Sequence, residues 1–172
     1  ILLKAVGRGV PLRAQLSFRG SSLLDRSLRH LDMQTHGFRR LYGNDETAFE
    51  APGYGVPTVT LTRYPFWGYH TSYDTPAFLD MSASVRTLAS LLDILEDNRT
   101  MEAATTGLQR LSHLGLYRAP SDRRFHLLSS RMPMYWNGKR DILELAEDHL
   151  LPFSDVRKYL QEVENAGLVR LL

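Results

Sequence analysis

Six consecutive residues, Tyr69-His70-Thr71-Ser72-Tyr73-Asp74, hold the most concentrated chemistry in the chain. The imidazole follows a β-rich run and sits in a loop dense in Gly, Pro and aromatic residues. Such a position suits metal ligation or proton transfer, and a carboxylate a few residues on can fix the imidazole tautomer. His70 is the candidate ligand, Asp74 its orienting carboxylate and Tyr69 a neighbouring phenol. The chain has no cysteine. Thiol nucleophiles, disulfides, iron–sulfur clusters and thiolate zinc sites are therefore excluded, and any metal must be held by imidazole and carboxylate. His30, His36, His113, His126 and His149 show no paired spacing, and Gly7-x-Gly9 and Gly53-x-Gly55 read as turns rather than phosphate cradles.

The elements that must carry these groups are readable from pattern. Ile1–Val6 is an apolar run that reads as a buried strand already under way. The chain opens on it without a Met, as a piece of a longer chain would. Leu12–Phe18 alternates, which predicts a half-buried strand with Leu12, Ala14, Leu16 and Phe18 inward and Arg13, Gln15 and Ser17 outward. Ser21 or Ser22 offers an N-cap to a helix reaching about Gln34. Residues 42–57 hold three Gly and two Pro and predict a long, functional loop. Thr58–Arg63 reads as a buried strand, and Tyr64–Pro76 as the loop that carries His70. Asp80 or Ser82 caps a helix with Val85, Leu88, Leu92 and Leu95 as its apolar stripe and Asn98 as its stop.

Residues 99–130 are weakly periodic and read as a linker with a short helix. Residues 131–172 form a second module. It holds the Asn137-Gly138 turn, a helix over Asp141–Leu150, a helix capped by Ser154 with Gly167 at its end, and a closing strand from Leu168. Helix, short turn, helix and strand in that order predict a winged helix-turn-helix.

The 172 residues suffice for one domain plus a small module, with 43% hydrophobic and 23% charged residues. Net charge is +2, unevenly spread: residues 1–43 carry eight basic side chains against Asp25 and Asp32, and residues 141–172 carry seven acidic against three basic. The acidic balance of the last module argues against phosphate contact, so nucleic acid is not an expected partner. No run approaches the roughly 20 apolar residues of a bilayer span, and no membrane partner is expected.

Gly43-Asn44-Asp45-Glu46, Ala51-Pro52-Gly53, Val56-Pro57, Arg63 and Tyr69-His70-Thr71-Ser72-Tyr73-Asp74 occur in fixed order. That succession resembles the C-terminal half of an aminopeptidase-like family related to the co-catalytic zinc aminopeptidases. Leu114-Gly115-Leu116-Tyr117 and the 134–172 module resemble the winged helix appended in that family. The resemblance implies an α/β chain: a partial mixed-sheet aminopeptidase-like domain over residues 1–98, a linker over 99–130, and a winged helix over 131–172. It implies zinc, two ions in the intact enzyme, with His70 as a metal ligand, Tyr69 as stabiliser of the tetrahedral intermediate and Asp74 behind His70. Asp45, Glu46 and Arg63 would then shape the substrate end of the cleft.

The implied activity is hydrolysis of a peptide or related amide bond in a cytoplasmic protein. The alternatives are a degenerate, non-catalytic scaffold and, behind it, a winged-helix nucleic-acid binder. Implied partners are a peptide-like substrate, the N-terminal part of the same domain, and a second copy or another protein on the winged helix. Two departures accompany the resemblance. The upstream ligands and the general-base Glu of the family fall before Ile1. Its Gly-Asp pair falls on Gly7-Arg8, a cation in place of a carboxylate.

Overall fold

The computed structural model describes every residue of the chain except Val6, Arg8 and Trp67. The expectations for Arg8 and for the Val6 end of the first strand lie outside the described residues. The chain forms two compact units, Ile1–Leu95 and Glu96–Leu172.

In the first unit, β1 (Leu2–Lys4), β2 (Leu12–Gln15), β3 (Thr35–His36) and β4 (Thr60–Arg63) form a mixed sheet in the order β1-β4-β2-β3. β1 runs parallel to β4, with Leu3 beside Leu61 and Lys4 beside Thr62. β2 is antiparallel to β4, with Ala14 beside Leu61 and Gln15 beside Thr60, and parallel to β3. One sheet face carries Ala14 and Leu61. These join Leu16, Leu28, Val59 and Leu91 in the core, with Leu12, Leu24, Leu31 and Met33 packed against it.

The other face is polar. Pairing register sets Lys4, Thr62 and Arg13 in one row and Thr60, Gln15 and His36 in the next. It is nevertheless covered, since Thr60, Thr62 and Gln15 are buried. Arg13 Nε, His36 Nε2, Thr60 Oγ1 and Thr62 Oγ1 are buried there without a protein hydrogen-bond partner.

This corrects the alternation expected of Leu12–Phe18. Gln15 and Ser17 point outward by pattern yet are each 2% exposed, while Phe18 is 71% exposed. Both buried polar groups serve as partners for backbone. Gln15 accepts from Leu41 N (3.0 Å) and donates to the Tyr42 carbonyl (3.0 Å), holding the following segment over the sheet. Ser17 binds the buried carboxylate of Asp25 through both its backbone N–H (2.8 Å) and its hydroxyl (2.6 Å).

α1 (Leu23–His30) starts at the Ser22 cap with a reciprocal Ser22–Asp25 capping box. It ends well before Gln34, because the chain reverses through Asp32 (φ 54°) to enter β3. A short helix, α2 (Glu46–Phe49), interrupts the predicted long loop. α3 (Ser82–Asp97) matches its expected extent, but a different face is buried. Ser84, Leu91 and Ile94 are inside, whereas Val85 and Leu92 are 54% and 44% exposed. This helix has apolar residues on two faces, and periodicity alone cannot choose between them.

The second unit is built on a three-stranded antiparallel sheet. β5 (Thr100–Ala103) lies between β6 (Asn137–Asp141) and β7 (Val169–Leu171). Residues 99–130, read from sequence as a linker with a short helix, thus supply the middle strand of this sheet as well as most of the helix α4 (Arg123–Arg131). β5 buries one residue, Met101, which leaves no alternation to read.

α5 (Ile142–His149) carries an Asp141–Glu144 capping box, and its Leu143 N–H donates to Asn98 Oδ1 at 2.8 Å. Ile142, Leu145, Ala146 and His149 are all buried, as their spacing predicts. α6 (Phe153–Asn165) is capped at Pro152, two residues before the predicted Ser154 cap, and buries Val156, Leu160 and Val163. Gly167 (φ 74°) reverses the chain into β7.

Burial holds the His149 imidazole below its ordinary value of 6.5, and the nearby Arg131 guanidinium acts in the same direction. The folded state therefore binds fewer protons than the unfolded chain. Stability is full above the unfolded value, falls as pH drops through it, and levels off only once the folded imidazole also titrates. His149→Leu is expected to flatten the melting-temperature curve between about pH 7 and pH 5. A variant that keeps the wild-type slope in that window overturns this account.

Candidate functional site

His70 follows β4 in a loop, with a left-handed backbone (φ 60°) that turns its ring outward into an exposed position. The Tyr69 ring stacks on it at 4.0 Å between centroids and 27° between planes. Tyr69 also lies 5.2 Å from Tyr42, and Tyr42 lies 5.2 Å edge-on to Tyr64. Lys4 closes the group. Its ammonium donates to the Gly43 carbonyl (2.9 Å) and sits 5.0 Å and 5.2 Å from the Tyr42 and Tyr69 ring centres. A cation between two aromatic faces is held by their quadrupoles and fixes both rings. Lys4 ends β1 and residues 64–70 follow β4, so the cluster lies at the carboxyl ends of the two parallel strands. Ligands bind at that end of open α/β sheets.

Sequence reasoning missed Lys4, Tyr42 and Tyr64. Lys4 did leave a signal: it is the one charged residue inside the apolar opening run. The tyrosines left none, because the three segments that bring them together are far apart in the chain.

The other expected residues take distinct places. Thr71 starts a tight turn, its hydroxyl donating to the Gly68 carbonyl (2.8 Å) and accepting from Tyr73 N (3.2 Å). Asp74 is exposed on that turn and, among the described residues, makes no hydrogen bond to His70. It lines a crevice of about 170 Å³ together with Tyr69, Phe66 and Leu79.

Asp45 is exposed at the head of α2 and makes no side-chain capping bond. Glu46 is fully buried. Its Oε1 accepts from Asn44 N (2.9 Å) and lies 3.4 Å from Arg39 Nε, while Oε2 has no hydrogen-bond partner. A Cβ at Gly43 would lie 2.1 Å from Arg39 Nη2, so a side chain there would displace the half-exposed Arg39 from Glu46. Glu46 is thereby tied through residues 43 and 44 to the Lys4 cluster. Arg63 is 8% exposed, and its guanidinium is engaged within the fold. Nη1 donates to the Val10 carbonyl, and Nη2 lies 3.2 Å from Asp80 Oδ2 and 3.4 Å from its carbonyl.

Residues 1–98 match a family described as a domain of unknown function, DUF4910. The chain belongs to this family. A curated relative of this DUF4910 chain, from Clostridium acetobutylicum, is named for polysaccharide biosynthesis and for an aminopeptidase-like domain. The two are 27% identical over 145 residues, 76% of this chain and 32% of the relative. The DUF4910 chain thus spans about a third of the length of the curated relative it matches. A crystal structure of a candidate peptidase from Clostridium acetobutylicum superposes with a TM-score of 0.78 at 21% identity. That superposition covers 97% of this chain and 40% of the other. The fold is therefore that mixed α/β fold.

No group of three or more His, Asp or Glu side chains able to hold a metal is present among the described residues. His70 offers one exposed imidazole, short of the three protein ligands a catalytic zinc needs. Among the described residues no helix is long and apolar enough to cross a membrane.

Proposed function

We propose that this chain is part of a zinc-dependent, aminopeptidase-like hydrolase acting on a peptide or related amide bond. The observation that carries the reading is the stacked Tyr69–His70 pair at the carboxyl ends of β1 and β4. In this reading His70 is one ligand of a centre whose other ligands lie outside the described residues. A bound zinc would polarise the scissile carbonyl and acidify a water.

This chain's own part is positioning. Tyr69, pinned between His70 and Tyr42, presents its phenol as a hydrogen-bond donor to the oxyanion that develops on the carbonyl. Lys4 keeps that phenol in place and adds positive potential beside it. Asp45, exposed at the head of α2, is available to a substrate ammonium, and buried Glu46 fixes the segment that presents it. In this reading the second unit is a winged helix that contacts protein. The exposed face of α6 mixes Asp155, Arg157 and Lys158, which does not suit a phosphate backbone.

The test uses a protein of the relative's length. His70→Ala is expected to lose zinc, whereas Tyr69→Phe keeps zinc and loses about 10²-fold or more in kcat. Equal zinc in wild type and His70→Ala would overturn the metal assignment. A second reading, a scaffold without catalysis, is favoured by the lack of a metal-holding group among the described residues. Chelator-sensitive amide hydrolysis by the longer protein would remove it.

A further inference from the structure

Outside the Tyr69–His70 region, a cavity of about 310 Å³ opens in the second unit between the 118–125 segment and α6. Its base is aromatic. Tyr159 is 1% exposed, donates from its hydroxyl to the Leu116 carbonyl (2.8 Å) and meets the Phe125 ring edge-on at 6.1 Å. The Arg118 guanidinium lies 5.1 Å over the Tyr159 ring and pairs with Glu162. Around this base stand Asp122 and, one helical turn apart on α6, Asp155 and Lys158. Asp122 Oδ1 already accepts the Phe125 N–H as the α4 cap (3.3 Å). Lys158 and Asp155 take part in none of the described ion pairs.

We propose that this cavity is a binding site for a free, zwitterionic α-amino acid with an apolar side chain. Charge decides the class of ligand. With Arg118 satisfied by Glu162, the remaining wall offers one cation, Lys158, and two carboxylates, Asp122 and Asp155. An apolar ligand would strip water from these groups and return nothing. A purely anionic ligand would face two carboxylates, and a purely cationic one would face Lys158 with Arg118 behind it. A zwitterion meets both signs: its carboxylate pairs with Lys158, its ammonium with Asp155 and Asp122, and its side chain lies on Phe125. The volume sits at the small end of ligand pockets, which suits a single amino acid rather than a peptide. The inference is independent of the hydrolase reading, because it uses residues of the second unit alone.

The experiment is titration of the intact chain with L-leucine, N-acetyl-L-leucine and L-leucine amide, followed by calorimetry and by amide resonances of residues 118–125 and 155–162. L-Leucine is expected to bind at millimolar affinity or tighter, with both derivatives at least about tenfold weaker. Lys158→Met should weaken L-leucine while leaving the amide unchanged. Asp155→Asn should weaken L-leucine while leaving the N-acetyl derivative unchanged. Both substitutions are on exposed positions, and an unaltered melting temperature confirms that each variant is folded. The proposal is overturned if about 10 mM L-leucine moves no resonance in these two segments, or if blocking its ammonium and its carboxylate makes no difference.

Discussion

Asp25→Ala is expected to destabilise the first unit by about 3–5 kcal/mol, read as a lowered midpoint in urea or guanidinium unfolding. The carboxylate is fully buried and accepts four hydrogen bonds, from the backbone N–H and hydroxyl of Ser17 and the backbone N–H and hydroxyl of Ser22. Removing it orphans the two buried Ser17 donors, takes the partner from two half-buried Ser22 donors, and breaks the capping box that starts α1. Asp25→Asn keeps one good acceptor and should fall between the variant and wild type.

The same carboxylate sets an acid limit. Burial alone would raise its pKa, but the Ser17 and Ser22 hydrogen bonds win and hold it below 3.8. The folded form thus binds its proton less readily than the unfolded chain. The contribution is whole above pH 3.8 and is lost as pH falls through the lower, folded value. An acid unfolding curve for Asp25→Asn that keeps the wild-type midpoint would contradict this assignment.

The second large effect belongs to Arg63. Its guanidinium joins the Val10 carbonyl on one side to Asp80, just ahead of α3, on the other. Arg63→Met should cost about 1–3 kcal/mol, because the Val10 carbonyl and Asp80 lose the guanidinium together, although Asp80 is partly exposed and still accepts from Ser82. Arg63→Lys should recover little, since an ammonium lacks the fork that reaches both. This separates two roles. A residue that only meets substrate would change KM and leave unfolding untouched. A lowered unfolding midpoint in both variants identifies Arg63 as a positioning residue, and an unchanged midpoint in both returns it to the substrate cleft.

These two residues also show what sequence can and cannot carry. Ser22 and Asp25 are three apart, and the cap is legible because its chemistry is local. β4 is legible for a similar reason, its Thr-Val-Thr-Leu-Thr run being confined to one segment. The burial of Gln15 and Ser17 is not legible, because their partners, residues 41–42 and Asp25, arrive by folding rather than by adjacency. β3, at two residues, is too short to show a period. In the candidate site His70 and Tyr69 stand out by composition of their loop. Lys4 and Tyr42 become meaningful only once β1 lies beside β4. Arg63 is legible as the end of β4, but a sequence cannot show that Val10 and Asp80 already occupy its hydrogen-bonding edge.

β5 has a consequence for how the chain acquires its structure. It is the middle strand of its sheet, yet both neighbours are made after it, and β7 only after all of residues 104–168. During synthesis Thr100–Ala103 must stay unpaired on both edges while α4 emerges, and on its β7 edge until α5 and α6 have followed. Closing the sheet is therefore a late, long-range event with a large loop-closure cost, while the helix pair α5–α6 can form early from local contacts. In that interval the uncovered edges of β5 are where the nascent chain is most open to pairing with another copy of itself.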